Sequence, residues 1–87
     1  MDPLTVQRMI RFEGQGSLKA FCDVRVGTAL LIKGVRVVEG KQGPVVSMPR
    51  MQGKDAKWYE VVVALNSESK HAMTQTVLAA YQQEEQT

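Results

Sequence analysis

Ten of the 11 Lys and Arg residues in this 87-residue chain lie between Leu4 and Trp58, and they are its most promising groups for chemistry. The same stretch contains four acidic residues, so ten positive charges less four negative ones leave a local charge of +6. The remaining acidic residues lie toward the two ends of the chain, and the overall net charge is only +2. A basic body of this kind favours an anionic partner.

The basic residues are interleaved with aromatic rings, which suits phosphate contacts combined with base stacking. Arg50, Lys54 and Lys57 crowd one predicted loop that ends at Trp58, and Arg36 lies on the strand before it. A second group lies on predicted strands nearer the N-terminus, namely Arg8, Arg11, Lys19 and Arg25. The alternative interpretation is that these charges only solvate the open face of a small sheet.

The aromatic residues and the predicted helix do not by themselves indicate sequence-specific DNA readout. Trp58 and Tyr59, taken alone, are interpreted as packing residues rather than stacking platforms. A major-groove recognition helix is usually rich in Arg, Asn and Gln, whereas the predicted helix offers Lys70, His71 and a few glutamines. Readout by that helix is therefore unsupported.

The chain offers little for catalysis or metal binding. Cys22 is predicted in mid-strand on an inward face, where a buried thiol is expected, and His71 is expected on the surface of the helix. One cysteine and one histidine cannot complete a structural zinc site within one chain. No Gly-rich phosphate loop opens a helix, and the carboxylates form no pair on one element. We therefore predict a protein that is not an enzyme and that uses no metal or other cofactor.

Alternation of apolar and polar residues predicts three strands, over residues 4–12, 17–26 and 29–38. The predicted inward face of the first strand consists of Leu4, Val6, Arg8, Ile10 and Phe12, with Arg8 as a misfit. The predicted inward face of the second consists of Leu18, Ala20, Cys22, Val24 and Val26. Gly34 interrupts the third strand, where it predicts a bulge or a close backbone approach.

The stretch VRVVEGKQGPVVSMPR, residues 35–50, predicts a hairpin whose returning strand covers 44–48. Pro49 lacks an amide donor and forces Met48 into an extended conformation, so the strand must end there or lie at an edge. Residues 51–57 are predicted to be a polar loop and 58–65 a final, strongly apolar strand. Because Arg36 and Arg50 flank the hairpin, we expect them near the same region of the sheet.

The last segment changes to helical periodicity. Asn66 or Ser67 can cap the helix, and Glu68 places a carboxylate in the first turn, where the helix dipole favours it. One face of the predicted helix carries Met73, Val77, Ala80 and Tyr81. Five strands followed by one helix predict an α+β fold, a small antiparallel sheet covered on its apolar face by a C-terminal amphipathic helix.

Length and composition predict a single domain over residues 1–87, with a core of about 4–82 and a frayed acidic tail at 83–87. No apolar run approaches the roughly 18 residues of a membrane span, and no signal peptide opens the chain. A cytoplasmic location without membrane insertion is therefore expected. Because so short a chain buries a thin core, oligomerisation is also expected.

Four motifs occur in an order and spacing that resemble the stage V sporulation protein G family, also called the septation protein family (SpoVG). The motifs are LKA (18–20), VRVVEG (35–40) with Gly43 after it, VSMPR (46–50) and LNSESKHAMTQTVLAAYQ (65–82). The resemblance covers about residues 4–82. The chain departs from the family pattern after Tyr81, where carboxylates in the tail would repel phosphate.

The resemblance implies a bacterial cytoplasmic regulator that dimerises through strand or sheet edges and has no enzymatic activity. It also implies a link to septation or sporulation-type processes and binding of DNA and/or RNA. Carried over by position, the nucleic-acid-binding cations would be Arg36, Arg50 and Lys70, with Lys54 and Lys57 in the loop after Arg50. The alternative is a protein-interaction module of the cell-division machinery with no direct nucleic-acid binding.

Overall fold

Residues 3–14 and 16–85, the part of the chain that the computed structural model describes, form two antiparallel sheets and one long helix. The main sheet contains β1 (Leu4–Arg11), β2 (Leu18–Val26), β3 (Leu30–Gly40) and β4 (Gly43–Ser47). A small second sheet pairs β5 (Arg50–Gln52) with β6 (Trp58–Glu60), and α1 (Ser67–Glu85) follows. This arrangement confirms the predicted α+β class.

The main sheet is a meander in which each strand pairs with the next, in the order β1-β2-β3-β4. Its tightest connection is the predicted hairpin, where Gly40 pairs with Gly43 and leaves only Lys41 and Gln42 in the turn. Gly43 adopts a φ of 119°, a backbone conformation that residues other than glycine rarely adopt. The strand that leaves the turn ends at Ser47, just before Pro49, as the loss of a proline donor requires.

A β-bulge in β1 reverses the predicted faces of that strand. Val6 pairs with Val24 and Arg8 with Asp23, so Gln7 is an extra residue. After the bulge Met9 packs against the core, whereas Arg8 and Ile10 are exposed on the face of the sheet opposite α1. The predicted inward face is therefore wrong after Val6, since a strand pattern cannot show where the partner strand skips a residue.

The pairing of β2 with β3 contains two irregularities. Lys33 and Gly34 both face Asp23, which confirms the predicted bulge, and Gly34 has a φ of 82°. Lys19 is an extra residue on β2, so Leu18 pairs with Val38. Leu18 was predicted to be inward, but it lies outside the buried core. It lines a cavity together with Val38.

The hydrophobic core lies between the main sheet and α1. On the helix, Met73, Val77 and Tyr81 are buried, as the helical periodicity predicts. They pack on the buried sheet residues, which are Ala20, Cys22, Val24, Val35 and Val37. The side-chain oxygen of Asn66 accepts the backbone N–H of Ser69 at 2.8 Å, which caps the helix at the predicted position.

The predicted last strand is wrong beyond Glu60. The pairing of β5 with β6 is extended only by a 3.1 Å bond from the Val61 N–H to the Pro49 carbonyl, and residues 61–65 then continue outside any strand. Burial alternates along this segment, and its outward residues Val61, Val63 and Leu65 are 53%, 64% and 94% exposed. The apolar sequence predicted a strand here, but the described part of the chain supplies no neighbouring strand.

Helix α1 continues to Glu85, beyond the predicted core limit of residue 82. Residues 86 and 87 of the predicted tail lie outside the described residues. Within the described ranges, no helix combines the length and the apolar character that crossing a lipid bilayer demands.

Candidate nucleic-acid interface

Three predicted cations converge on one open cavity at the β4 edge of the main sheet. Arg36 comes from β3, Arg50 from β5 and Lys70 from the first turns of α1, and together they line a space of about 640 Å³. Pairing of Arg36 with Ser47 places both on the sheet face opposite α1, so the Ser47 hydroxyl joins the lining. The cavity thus combines guanidinium, ammonium and hydroxyl donors from separate segments of the chain.

Arg36 rests on an aromatic pair next to this cavity. Its guanidinium carbon lies 5.4 Å from the ring centroid of Phe21, its direct cross-strand neighbour. Phe21 in turn packs edge-to-face on Phe12, with ring centroids 5.2 Å apart. A cation held over a ring keeps its hydrogen-bonding edge free, so Arg36 is positioned without its donors being consumed.

Glu60 is the one acidic residue among the described residues that line this cavity. It lies directly opposite Arg50 in the β5–β6 register, so it offsets part of the positive charge. The three cations still outnumber it, and the lining keeps a net positive charge. The sequence patterns did not indicate Glu60 as a site residue, because residues 51–57 were predicted to be a loop rather than the turn of a hairpin.

The β5–β6 hairpin, which we call the ribbon (residues 50–60), carries Lys54 and Lys57 at its tip. Both lysines are exposed, and neither lines the cavity. The tip is ordered by Asp55, which accepts hydrogen bonds from the Tyr59 hydroxyl and from the Lys57 backbone N–H. The Tyr59 bond, followed by the Lys57 bond, lowers the pKa of Asp55, and Asp55 raises the pKa of Tyr59.

Close packing at Gly53 holds the ribbon in this shape. A Cβ placed on Gly53 would lie 2.8 Å from Tyr59 Cε2 and 2.9 Å from Asp55 Oδ1, so a side chain at this position would force Tyr59 and Asp55 to shift. Ala56 adopts a φ of 67° in the turn. The strand residues of the ribbon are all exposed, so the ribbon projects from the main sheet.

The four secondary cations occupy different environments. Arg8 and Arg25 are exposed on the face opposite α1, and Lys19 is half-buried at its bulge. Arg11 instead faces the helix, where its Nη1 donates to the Tyr81 carbonyl at 2.7 Å and its guanidinium lies 4.2 Å from the Tyr81 ring centroid. Arg11 is therefore already engaged in fastening α1 to β1.

The remaining reactive side chains lie apart from the cavity. Cys22 is buried in the core, and that burial, with a smaller effect of Asp23, raises the pKa of its thiol to about 11. His71 is exposed on α1. Within residues 3–14 and 16–85, no three His, Cys, Asp or Glu residues are grouped so that they could hold a metal ion.

The sequence of this chain is similar to those of known proteins. Residues 2–83 match the SpoVG family. A protein of Archaeoglobus fulgidus is 35% identical over 98% of this chain and 100% of its own length, and carries the name "Putative septation protein SpoVG". A protein of the same name from Symbiobacterium thermophilum is 36% identical over 90% of this chain, which spans 56% of that longer protein.

A SpoVG protein of Listeria monocytogenes is 29% identical over 91% of this chain and 78% of its own length. The matches cover the sheet, the ribbon and the helix alike. The resemblance of the four sequence motifs is therefore confirmed at the level of the whole chain, and the protein belongs to the SpoVG family.

Proposed function

We propose that this SpoVG-family protein is a non-enzymatic cytoplasmic regulator that binds DNA and/or RNA through the cavity at the β4 edge. Arg36, Arg50 and Lys70 would contact phosphates there, and Lys54 and Lys57 would extend the contact along the ribbon. The single observation that carries the proposal is the convergence of three cations from β3, β5 and α1 on one cavity. Because the relatives are named septation proteins, we further propose a role in septation or a sporulation-type process.

The donor set of the cavity suits phosphate better than it suits a reaction. Guanidinium groups bind phosphate oxygens in a bidentate manner, and an ammonium group and hydroxyls add further donors. Within residues 3–14 and 16–85, the lining holds one carboxylate, Glu60, with no histidine or cysteine beside it. A general acid–base mechanism usually needs two positioned titratable groups, so the lining favours binding over catalysis.

The proposal is tested by the salt dependence of binding. We would measure fluorescence anisotropy of a labelled 20-nucleotide single strand and of the corresponding duplex between 50 and 200 mM salt. Each phosphate contact contributes about −0.7 to the slope of log K against log salt for single strands and about −0.9 for duplex DNA. The double variant Arg36→Gln/Arg50→Gln should therefore flatten the slope by about 1.4 to 1.8.

A variant of equal charge provides the control. Lys33 and Lys41 are exposed and do not line the cavity, so Lys33→Gln/Lys41→Gln removes two charges elsewhere. We expect this control to keep nearly the slope of the unmodified protein. Equal slopes for the two double variants would show that the cavity has no special role. Absence of binding at 50 mM salt would overturn the proposed function itself.

We also propose that the protein acts as a homodimer. The outward residues of the segment after the ribbon, Val61, Val63 and Leu65, are apolar and 53–94% exposed. Val63 and Leu65 line a second, mostly apolar groove of about 370 Å³, together with residues that include Leu30 and Met73. A chain of this size gains stability when such surface is covered, and a second copy of the same segment is a self-complementary cover.

Light scattering at micromolar concentration should then give twice the chain mass, and Val63→Asp should give the monomer. The alternative that the resemblance leaves open is a division-machinery protein as the partner of this apolar segment. A monomer that binds nucleic acid as tightly as the dimer would remove the homodimer from the proposal. A protein that dimerises but binds no nucleic acid would favour the protein-interaction alternative.

A further inference from the structure

We propose that Trp58 is a base-stacking platform, so that the protein prefers single-stranded over double-stranded nucleic acid. The proposal rests on the proposed function and specifies its ligand class. Trp58 is the only tryptophan of the chain, and 61% of its surface is exposed. Tryptophan is highly buried on average in folded proteins, so an indole exposed to this degree is informative.

The register of the ribbon places Trp58 on the same face as the cavity cations. Directly opposite residues of an antiparallel pair point to one face, and the next pair points to the other. Arg50 pairs with Glu60 and Gln52 with Trp58, so all four share one face, whereas Met51 and Tyr59 share the reverse face. Arg50 and Glu60 line the cavity, and Gln52 and Trp58 form the next pair on the same face of the ribbon, two residues further toward its tip.

The two aromatic residues of the ribbon differ in what occupies them. The Tyr59 hydroxyl donates to Asp55, and its ring packs over Gly53. Among the described residues, Trp58 has neither a ring partner nor a cation over its face. The interpretation of Trp58 as a packing residue is therefore not supported by its surroundings, and its π-face is available to a ligand.

The geometry of nucleic acids then selects the ligand class. Inside a duplex both faces of each base are covered by its neighbours, so only an unpaired base can stack on a side chain. A strand whose phosphates lie along Arg36 and Arg50 would bring its next bases to the indole. Lys57 directly precedes Trp58 and Lys54 is at the tip, so further phosphates would also meet cations.

Intrinsic fluorescence tests the contact directly, because Trp58 is the only indole. Unlabelled dT20 at saturation should quench the emission by a large fraction. An abasic oligonucleotide of equal length carries the same phosphates without bases, and it should leave the emission nearly unchanged. An unchanged emission at saturating dT20, with binding confirmed by anisotropy, would overturn the inference while leaving the proposed function intact.

Affinity measurements on variants complete the test. Trp58→Leu should lose about tenfold or more in affinity for dT20, because stacking of one base is worth that much, and less than twofold for a 20-base-pair duplex. Trp58→Phe should recover most of the loss because it restores a ring. A Trp58→Leu variant that binds dT20 as tightly as the unmodified protein would contradict the proposal.

Burial of Trp58 against a second copy of the chain would compete with base stacking and can be distinguished by fluorescence. If a second copy of the chain covers the indole, the emission will shift to shorter wavelength as protein concentration rises, with no nucleic acid present. That result would overturn the stacking role. A failure of every oligonucleotide to bind at 50 mM salt would instead refute the proposed function on which the inference rests.

Discussion

Replacing Arg11 should destabilise the fold without affecting nucleic-acid binding, although Arg11 was predicted among the secondary basic residues of the binding surface. The bulge at Gln7 turns Arg11 toward α1, where it donates to the Tyr81 carbonyl at 2.7 Å and lies over the Tyr81 ring. The last turn of α1 contains no basic residue of its own. Arg11 therefore brings a cation from β1 to the negative end of the helix dipole.

The expected cost follows from these contacts. A hydrogen bond from a charged donor contributes roughly 1.5–3 kcal/mol and a cation–π contact about 0.5–2 kcal/mol, but the two share one side chain and are not additive. Arg11 is only partly buried, so we expect about 2 kcal/mol for Arg11→Met. For a domain of this length, that loss lowers the melting temperature by roughly 10 °C.

Thermal unfolding monitored by circular dichroism, together with oligonucleotide anisotropy, measures both effects. Arg25→Met is the matched control, because Arg25 is exposed on the opposite face of the sheet and its loss should cost less than about 0.5 kcal/mol. If Arg11→Met melts at the temperature of Arg25→Met, the contacts of Arg11 with Tyr81 contribute no stability. If it melts normally and binds nucleic acid more weakly, Arg11 belongs to the binding surface after all.

Two further predictions concern the core and the ribbon. Val77 is fully buried, so Val77→Ala should lower the free energy of unfolding, measured in urea, by about 2 kcal/mol. Val45 is half-exposed, so Val45→Ala should lower it much less. Equal losses of unfolding free energy in the two variants would contradict the packing described. Hydrogen bonds from the Tyr59 hydroxyl and the Lys57 N–H lower the pKa of Asp55 in the folded state. These bonds therefore stabilise the folded protein at pH values above the unfolded-state pKa of Asp55, and the stabilisation is lost as the pH falls through the folded-state pKa. An NMR titration should find the Asp55 pKa raised by Tyr59→Phe, and an unchanged pKa would show that the hydrogen bond does not form in solution.

The elements that sequence patterns predicted well are those whose environment is set by local periodicity. On β2, Ala20, Cys22 and Val24 alternate and are all buried. On α1 the Asn66 cap and the spacing of Val77 and Tyr81 are likewise local features, and the structure confirms them. Between Ala20 and Val24 and between Met73 and Tyr81, one face of the element meets the core without interruption, so the residue types report the fold directly.

The features that sequence patterns did not predict depend on partners distant in the chain. The bulge at Gln7 exists because β1 and β2 fall out of step, and neither strand shows it alone. For the site, Arg36 and Arg50 flank a predicted hairpin, and their proximity in one cavity follows from it. The addition of Lys70 and Glu60 to that cavity required the position of α1 and the register of the ribbon, which no local pattern contains.

The ribbon and the segment after it, residues 50–65, have the residue types of one environment and lie in another. Their residue types, with Trp58, Val61 and Val63, are those of a buried strand, yet each of these side chains is more than half exposed. Exposing so much apolar surface costs stability that a small domain can poorly spare, which supports the proposed contacts with nucleic acid and with a second copy. The face that carries Arg50 and Trp58 suits a charged, base-containing ligand, whereas Val61 and Val63 suit a second copy. The strand pattern of residues 58–65 is thus paired only as far as Glu60, and the proposed contacts with nucleic acid and with a second copy would both fall on this part of the chain.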